Sequence, residues 1–184
     1  MEQLHTERLQ ISLMTLNDGD LLFELDQDPA VMQYINGGKV TSAQEIEDIY
    51  IPRLAKYINP ERGWGLWKVS LKEHPSSFLG WILIRPMHFF TLSPSYSDLE
   101  IGWRFKQSTW GRGIATESAK AVMEHLLTTQ QNIKHFSAIA DEENLASINI
   151  MKKLGMKYIE KLSHPDVEGD VDVVLYSKDT NKAN

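Results

Sequence analysis

The 184-residue chain contains no cysteine, and this absence removes several kinds of chemistry at once. Without a thiol, the protein can form no disulfide, no cysteine-ligated zinc site and no acyl-cysteine intermediate. Because a reducing compartment suits this composition, we expect a cytoplasmic protein. The chain also has no run of about 18 apolar residues, and its start, "MEQLHTERLQISLM", lacks the apolar core of a signal peptide. We therefore expect no contact with a membrane.

Positive charge and paired histidines are scarce as well. The chain has 19 lysines and arginines against 25 aspartates and glutamates, for a formal net charge of −6. Nucleic-acid binding depends on basic side chains that neutralise phosphates, so we expect no nucleic-acid partner. An acidic surface instead favours a partner that carries an amine. The six histidines show no H-E-x-x-H or other paired spacing, and we predict no metal site.

The rest of the composition is that of a globular protein, with 42% hydrophobic and 24% charged residues. We place one domain at residues 1–178 and a flexible tail at 179–184. N-cap candidates indicate two early helix starts, at Asn17 or Asp18 and at Thr41 or Ser42. The first helix is expected to end before Pro29; in the second, Glu45 completes a capping box and Pro52 causes a kink or break.

The later segments alternate between strand and helix patterns. Helices are predicted from the glycine-rich stretch to about Leu127 and at "NLASINIMKKL". Strands are predicted at "LQISLMTL", "WGLWKVSL", "SFLGWILIRP", "DLEIGWRF", "IKHFSAIA", "MKYIEKL" and "VDVVLYS". This order predicts an α+β domain with a largely antiparallel sheet.

The stretch "STWGRGIATESAKAV", residues 108–122, places two glycines around an arginine at the start of an amphipathic helix. Glycine lets backbone approach a ligand, and the first amides of a helix are unpaired donors at the positive end of its dipole. The stretch therefore predicts an anion site, with a plain glycine-containing loop as the alternative. A Walker loop would need a lysine that is missing here, and a dinucleotide fingerprint would need a third glycine where Thr116 stands.

The same stretch resembles the phosphate loop of the GNAT superfamily of N-acetyltransferases. Their pattern Gln/Arg-x-x-Gly-x-Gly/Ala is met by residues 110–115, with Trp110 in place of the usual first residue. The segment "WGRGIATE" resembles the corresponding segment in the branch that includes the RimJ/RimL-like ribosomal-protein acetyltransferases. The opening "TERLQISLMTLNDGDLLFELDQDPAVMQYI" and the segment "NLASINIMKKLGM" resemble that branch too, in the same order.

The resemblance implies a GNAT fold, with about seven strands, about four helices and a splayed strand pair that holds acyl-CoA. It implies acetyl-CoA as cosubstrate, with the pyrophosphate on the amides of residues 111–115 and the pantetheine arm along the end of "DLEIGWRF". The cofactor-binding residues that it implies are Arg104, Phe105, Trp110, Gly111, Arg112, Gly113, Ile114, Ala115 and Asn144.

Acetyl transfer to an amine also needs a proton for the departing thiolate. Many members of the superfamily carry a tyrosine where this chain has Met151, which cannot donate a proton. The RimL-like branch implies Ser147 as the proton donor instead, although asparagine and serine at a helix start are common as plain caps. Glu100, on the strand before the glycine loop, is the candidate base, with a water chain as the alternative. Ile139 stands where some relatives have a glutamate.

The acceptor identity stays open at this point. A protein N-terminus, which the branch implies, competes with amino acids, polyamines and antibiotics. A non-catalytic acyl-CoA-binding protein is a second class of hypothesis, favoured by Met151 and opposed by Ser147, and a nucleotide-dependent kinase is a third. A homodimer is left open.

Overall fold

The computed structural model describes residues 3–167 and 169–180, in which one mixed sheet carries helices on both faces. The sheet has the order β1-β2-β3-β4-β5-β6-β8-β7, and all neighbours are antiparallel except β5 and β6. The strands are β1 (Gln3–His5), β2 (Leu9–Leu13), β3 (Gly65–Leu71), β4 (His74–Met87), β5 (Ser95–Phe105), β6 (His135–Ala140), β7 (Lys157–Asp166) and β8 (Gly169–Asp179). The α+β class is confirmed, and β1 is added to the predicted strands.

The α-helices of the described residues are α1 (Gly19–Leu25), α2 (Pro29–Asn36), α3 (Ala43–Glu45), α4 (Ile51–Tyr57), α5 (Ile114–Thr129) and α6 (Leu145–Lys153). No helix was predicted directly after Pro29, but α2 begins there. Proline suits the first position of a helix, where its missing N–H has no partner to lose. The Asp28 side chain caps this helix by accepting a hydrogen bond from the amide of Ala30.

The capping box at Ser42 and Glu45 is confirmed, with hydrogen bonds in both directions. The irregularity expected at Pro52 takes the form of a π-helical segment, Ile46–Tyr50, between α3 and α4. Pro52 then lies in the first turn of α4. Since proline cannot donate the usual helical hydrogen bond, the wider turn before it accommodates the lost bond.

Strand β5 separates two hydrophobic layers, as its alternating sequence predicts. Ile101 packs in the layer that includes Val122 of α5. On the opposite face of the sheet, Leu83 of β4 packs with Leu54 of α4. The layers therefore place α5 and α6 on one side of β5 and the first four helices on the other.

The two parallel strands separate soon after they meet. β5 and β6 are paired only where Asp98–Glu100 runs beside His135–Ser137, although β5 continues to Phe105 and β6 to Ala140. The predicted splayed strand pair is thus confirmed, and the edge of β5 beyond Glu100 is open on the β6 side.

No helix in the described part of the chain is both long and apolar enough to cross a membrane. The predicted domain boundary at residue 178 falls inside β8, and residues 181–184 of the expected tail lie outside the described residues.

Candidate active site

Two cavities flank β5 where it leaves β6. The larger one, of about 370 Å³, is lined by the glycine-rich loop together with parts of α2, β5 and α6; we name it the glycine-loop cavity. The smaller one, of about 140 Å³, is named the arginine cavity because Arg53, Arg85 and Arg104 line it. Arg104 lines both cavities, so they adjoin at this residue.

The glycine loop presents its backbone to the larger cavity. Gly111 and Gly113 have φ values of 70° and 74°, in the left-handed region that favours glycine. A Cβ atom at Gly111 would meet nothing within 4 Å, and one at Gly113 would meet only Nη2 of Arg8, at 3.6 Å. Among the described residues, the amides of residues 111–116 donate no hydrogen bond. These amides therefore form an open anion site at the start of α5.

Two of the sequence segments that carry the family resemblance contact each other beside this loop. Thr6 Oγ1 donates to Glu117 Oε1 at 2.5 Å, and Arg8 Nε donates to Glu117 Oε2 at 2.8 Å. Arg8 Nη1 also donates to the carbonyl of Arg112, at 3.1 Å. The turn between β1 and β2 thus holds the first turn of α5 and the loop before it in place.

Trp110, in the position where relatives carry glutamine or arginine, is held by the end of β5. Its Nε1 donates to the carbonyl of Phe105 at 3.0 Å, and half of its surface (50%) remains exposed. Trp110 and Phe105 both line the glycine-loop cavity, whereas Arg112 does not. The loop therefore offers an aromatic surface at this end, and the Arg112 side chain is exposed outside the cavity.

The start of α6 brings Asn144 and Ser147 to the same cavity. Asn144 is the N-cap, as predicted, and its Oδ1 accepts from the amide of Ser147 at 3.1 Å. The indole Nε1 of Trp103, on β5, donates to Ser147 Oγ at 3.1 Å. Since Oγ serves as acceptor in this bond, the serine hydroxyl keeps its own proton for donation. Met151 lies in the core with none of its surface exposed.

Glu100 occupies a different environment. Its carboxylate accepts from Arg85 Nε at 2.8 Å and from Arg85 Nη2 at 2.9 Å, and the residue is only 4% exposed. Glu100 lines neither cavity. The structure thus brings the glycine loop, Asn144 and Ser147 together and places Glu100 behind Arg85.

The arginine cavity contains charged residues that the sequence analysis did not identify. Arg104 Nη1 donates to Asp26 Oδ1 at 2.6 Å, and Asp26 Oδ2 accepts from Thr41 at 2.9 Å. Arg53, on α4, and Asp166, at the end of β7, also line the cavity. Their separation along the chain left no local pattern that could have identified them.

Helix α2 supplies a further part of the glycine-loop cavity. Ala30, Val31, Tyr34 and Ile35 line its wall. The signal for this contribution was the Asp28-Pro29 pair, since aspartate as N-cap followed by proline is a favoured helix start.

The chain matches a family model, and it is similar to solved structures. The model described as "Acetyltransferase (GNAT) domain" matches residues 8–157. The uncharacterized N-acetyltransferase p20 of Bacillus licheniformis is 26% identical over 157 residues, which cover 85% of this chain and 83% of p20.

Two solved structures, both with coenzyme A bound, share the fold. RimL, a ribosomal L7/L12 alpha-N-protein acetyltransferase, is 18% identical, with a TM-score of 0.72 over 97% of this chain and 98% of RimL. The aminoglycoside acetyltransferase AAC(6')-Ib is 15% identical, with a TM-score of 0.73 over 94% of this chain and 95% of that one.

The sheet opens beside a glycine-rich helix start, and most of the chain matches an acetyltransferase model. These two findings define the protein as an acyltransferase. The chain belongs to the GNAT acetyltransferase family, and it is an acetyl-CoA-dependent N-acetyltransferase. Its fold is similar to that of RimL, in agreement with the RimJ/RimL-like resemblance of its sequence.

Proposed function

We propose that the protein transfers the acetyl group directly from acetyl-CoA, bound in the glycine-loop cavity, to an amine that enters through the arginine cavity. One observation carries this proposal. The hydroxyl of Ser147, fixed by Trp103 on β5 and by the helix cap of Asn144, lines the same cavity as the unpaired amides of the glycine loop. A proton donor and an anion site therefore lie along one continuous groove.

The residues present fit acetyl-CoA. The free amides of residues 111–116 suit the pyrophosphate, because they combine unpaired donors with the positive end of the α5 dipole. The open edge of β5 up to Phe105 suits the pantetheine amides as an added strand. Asn144 uses its oxygen for the helix cap, so its amide NH₂ group is available to the same arm. Acetyl-CoA supplies a thioester whose C–S bond breaks as the bond from carbon to the amine nitrogen forms.

Ser147 is the catalytic acid in this proposal. Its hydroxyl donates a hydrogen bond, and then a proton, to the sulfur that leaves. The demand on this acid is modest, because a free thiol has a pKa of about 8.5. Because Oγ accepts the bond from Trp103, the serine hydroxyl keeps its own proton for the leaving sulfur.

Asp166 receives the amine in this proposal, and Glu100 acts by holding Arg85. Both oxygens of Glu100 are engaged by Arg85. Asp166 instead lines the arginine cavity, and its Oδ1 accepts only the neighbouring amide of Val167 among the described residues. A carboxylate with a free oxygen can accept the proton that the amine loses on acetylation. A proton then leaves through Asp166 and enters through Ser147.

A thiol-release assay tests this proposal. The protein is mixed with acetyl-CoA and a panel of amines, and free CoA is followed with a thiol reagent, which gives no background because the chain has no cysteine. We expect Ser147→Ala to lower kcat by about 100-fold while the dissociation constant of CoA is unchanged. Ser147→Thr, which keeps the hydroxyl, is the matched control and should retain most of the activity.

Two results would overturn the proposal. Tight CoA binding without thiol release for any amine would identify an acyl-CoA-binding protein rather than a transferase. Full activity in Ser147→Ala would remove the serine from the reaction.

A further inference from the structure

Most charges around the arginine cavity are paired. Arg85 is neutralised by Glu100, in a pair whose side chains are 10% and 5% exposed. Arg104 is neutralised by Asp26, in a pair whose side chains are 15% and 3% exposed. Each of these arginines therefore already has its counterion inside the protein.

Arg53 is the one arginine of the arginine cavity for which the described residues provide no ion pair. Its guanidinium carbon lies 3.7 Å from the centre of the Phe90 ring, and it forms no ion pair with any described residue. Phe90 is in turn packed edge-on against Tyr57 and Phe89, with ring centres 6.1 and 5.2 Å apart. The charge of Arg53 is thus held against an aromatic wall at the cavity, and no carboxylate of the described residues lies within ion-pair distance of it. Stacking of this kind leaves the N–H edge of a guanidinium available to a ligand.

Two further N–H groups add positive potential to the arginine cavity. Trp81 Nε1 and Arg104 Nε are buried and have no hydrogen-bond acceptor in the described part of the chain. Both side chains line the arginine cavity, and the guanidinium carbon of Arg104 lies 5.0 Å from the centre of the Trp81 ring. Buried donors without acceptors are unfavourable, so their clustering here favours a ligand with negative charge.

Burial lowers the pKa of Arg53, and the nearby charge of Arg85 lowers it further, whereas the charges of Asp166 and Glu100 raise it. Arginine nevertheless stays protonated at neutral pH. An anion placed beside Arg53 would relieve the repulsion between these two cations. The same repulsion disfavours a ligand that carries several positive charges.

We infer that the arginine cavity selects acceptors that carry a carboxylate close to the reacting amine, and that Arg53 binds this carboxylate. The inference rests on the proposed function and names the substrate class of that site. Asp166 lines the same cavity and forms no ion pair with a described residue, so in this inference it faces the amine of the acceptor while Arg53 binds the carboxylate. The cavity of about 140 Å³ suits a single small residue. This chemistry has two sources, a free amino acid or an acidic side chain near a protein N-terminus.

The test compares matched acceptors in the wild type and in two arginine variants. One arm pairs free amino acids with their carboxamides, and the other pairs C-terminally amidated peptides that carry aspartate or asparagine at the second position. Spermidine and kanamycin serve as polycationic acceptors. The variants are Arg53→Gln and, as the matched control, Arg62→Gln, an exposed arginine that lines neither cavity. The ratio of kcat/KM for acid over amide is compared between proteins, so that differences in amine pKa cancel.

In one of the two arms, the wild type and Arg62→Gln should prefer the acid by roughly 10- to 100-fold, the range expected for a charged hydrogen bond. Arg53→Gln should lose this preference, and Arg53→Lys should keep part of it because the charge remains without the two-pronged geometry. The arm that shows the preference identifies the source of the carboxylate. An acid-to-amide ratio that is the same in the wild type and in Arg53→Gln, or faster turnover of spermidine or kanamycin, would overturn the inference.

A binding measurement separates this inference from the proposed transfer. N-acetyl amino acids and their amides are titrated calorimetrically into the protein saturated with CoA. If no amine is acetylated but the N-acetyl acids bind about tenfold more tightly than the amides through Arg53, the transfer proposal fails and the carboxylate site stands. If amines of all classes are acetylated and neither assay discriminates, the transfer proposal stands and the carboxylate site fails.

Discussion

The two cavities on either side of β5 are built from different parts of the polypeptide. The glycine-loop cavity takes its unpaired amides from consecutive residues, 111–116, and the proposed proton donor from the first turn of one helix. The arginine cavity takes its charges from side chains on separate elements, among them Arg53 on α4, Arg85 on β4 and Asp166 at the end of β7.

This difference separates the two tasks of a transferase. A backbone site keeps its charge and position as long as the loop is folded, so it suits the cosubstrate that every turnover uses. A site made of buried side chains depends on each counterion, because a buried charge without a partner is costly. Single substitutions can therefore alter the arginine cavity strongly, and under the proposed function we expect acceptor specificity to change there.

The largest effect is expected from breaking an ion pair beside the arginine cavity. Glu100→Gln leaves Arg85 buried without its counterion, and we expect the free energy of unfolding to fall by about 3–5 kcal/mol. Glu117→Gln is the matched change beside the glycine-loop cavity. Its pair with Arg8 is partly exposed, at 46% and 23% for the two side chains, so we expect a loss of about 1 kcal/mol or less.

Urea unfolding of the wild type and both variants measures this contrast. Similar midpoints for Glu100→Gln and Glu117→Gln would mean that the stability of the fold depends equally on the ion pairs beside the two cavities. A double replacement, Arg85→Met with Glu100→Leu, removes both charges and should recover much of the stability.

The next largest effect concerns the backbone site. Gly113→Val places a branched side chain where the ligand approaches, and we expect the affinity for CoA to fall by more than about 100-fold. Gly155→Val is the matched control, because Gly155 has a similar φ of 81° but lies after α6, outside the cavity. Both variants should lose about 1–3 kcal/mol of stability from the strained backbone.

Calorimetric titration with CoA and thermal unfolding separate binding from strain in these two variants. Equal CoA affinity for Gly113→Val and Gly155→Val would mean that the pyrophosphate does not bind at the glycine loop.

The local structure of the glycine loop and of the α6 start could be predicted from the sequence because it depends on residues that are adjacent in the chain. A left-handed φ favours glycine, and a helix start favours a cap such as Asn144, so both are visible locally. The partner of Ser147 was not visible in this way. Trp103 is 44 positions away and meets the serine only because β5 and α6 pack together.

The arginine cavity could not be predicted for the same physical reason. Arg53, Arg85 and Asp166 are separated by more than thirty positions from one another, and only the register of β4 and the folding of the β7–β8 hairpin bring them together. The alternation of β5 places Glu100 and Arg104 on one face of the strand. It carries no information about Arg85, which lies on the neighbouring strand and binds both oxygens of the Glu100 carboxylate.

A smaller effect is expected from removing single indole N–H groups. Trp103→Phe keeps an aromatic ring but deletes the donor to Ser147 Oγ, so we expect kcat to fall by about 2- to 10-fold with little change in CoA affinity. Trp110→Phe is the matched change at the other end of the cavity, where the indole bonds the Phe105 carbonyl. It should weaken CoA binding slightly and leave kcat unchanged. The same steady-state profile in both variants would show that the Trp103 bond does not position the serine.

The smallest effect concerns the pH dependence of stability on the arginine side. His164 is 6% exposed, its Nδ1 has no partner among the described residues, and burial lowers its pKa from the ordinary value of 6.5. The charges of Arg85 and His88 lower this pKa further, whereas Glu100 and Asp166 raise it. Because the folded pKa is the lower one, the unfolded chain binds the proton more readily. His164 therefore contributes stability that is complete above the unfolded pKa and is lost as the pH falls through the folded pKa.

His164→Gln removes this titration and keeps a neutral polar side chain. We expect the wild type to lose more of its unfolding free energy than His164→Gln between about pH 7.5 and 5.5, and we expect the two slopes to agree above about pH 7.5. Urea midpoints across this range measure the difference. Identical slopes at all pH values would mean that His164 has the same pKa in the folded and the unfolded chain, with the effect of burial offset by the charges of Glu100 and Asp166.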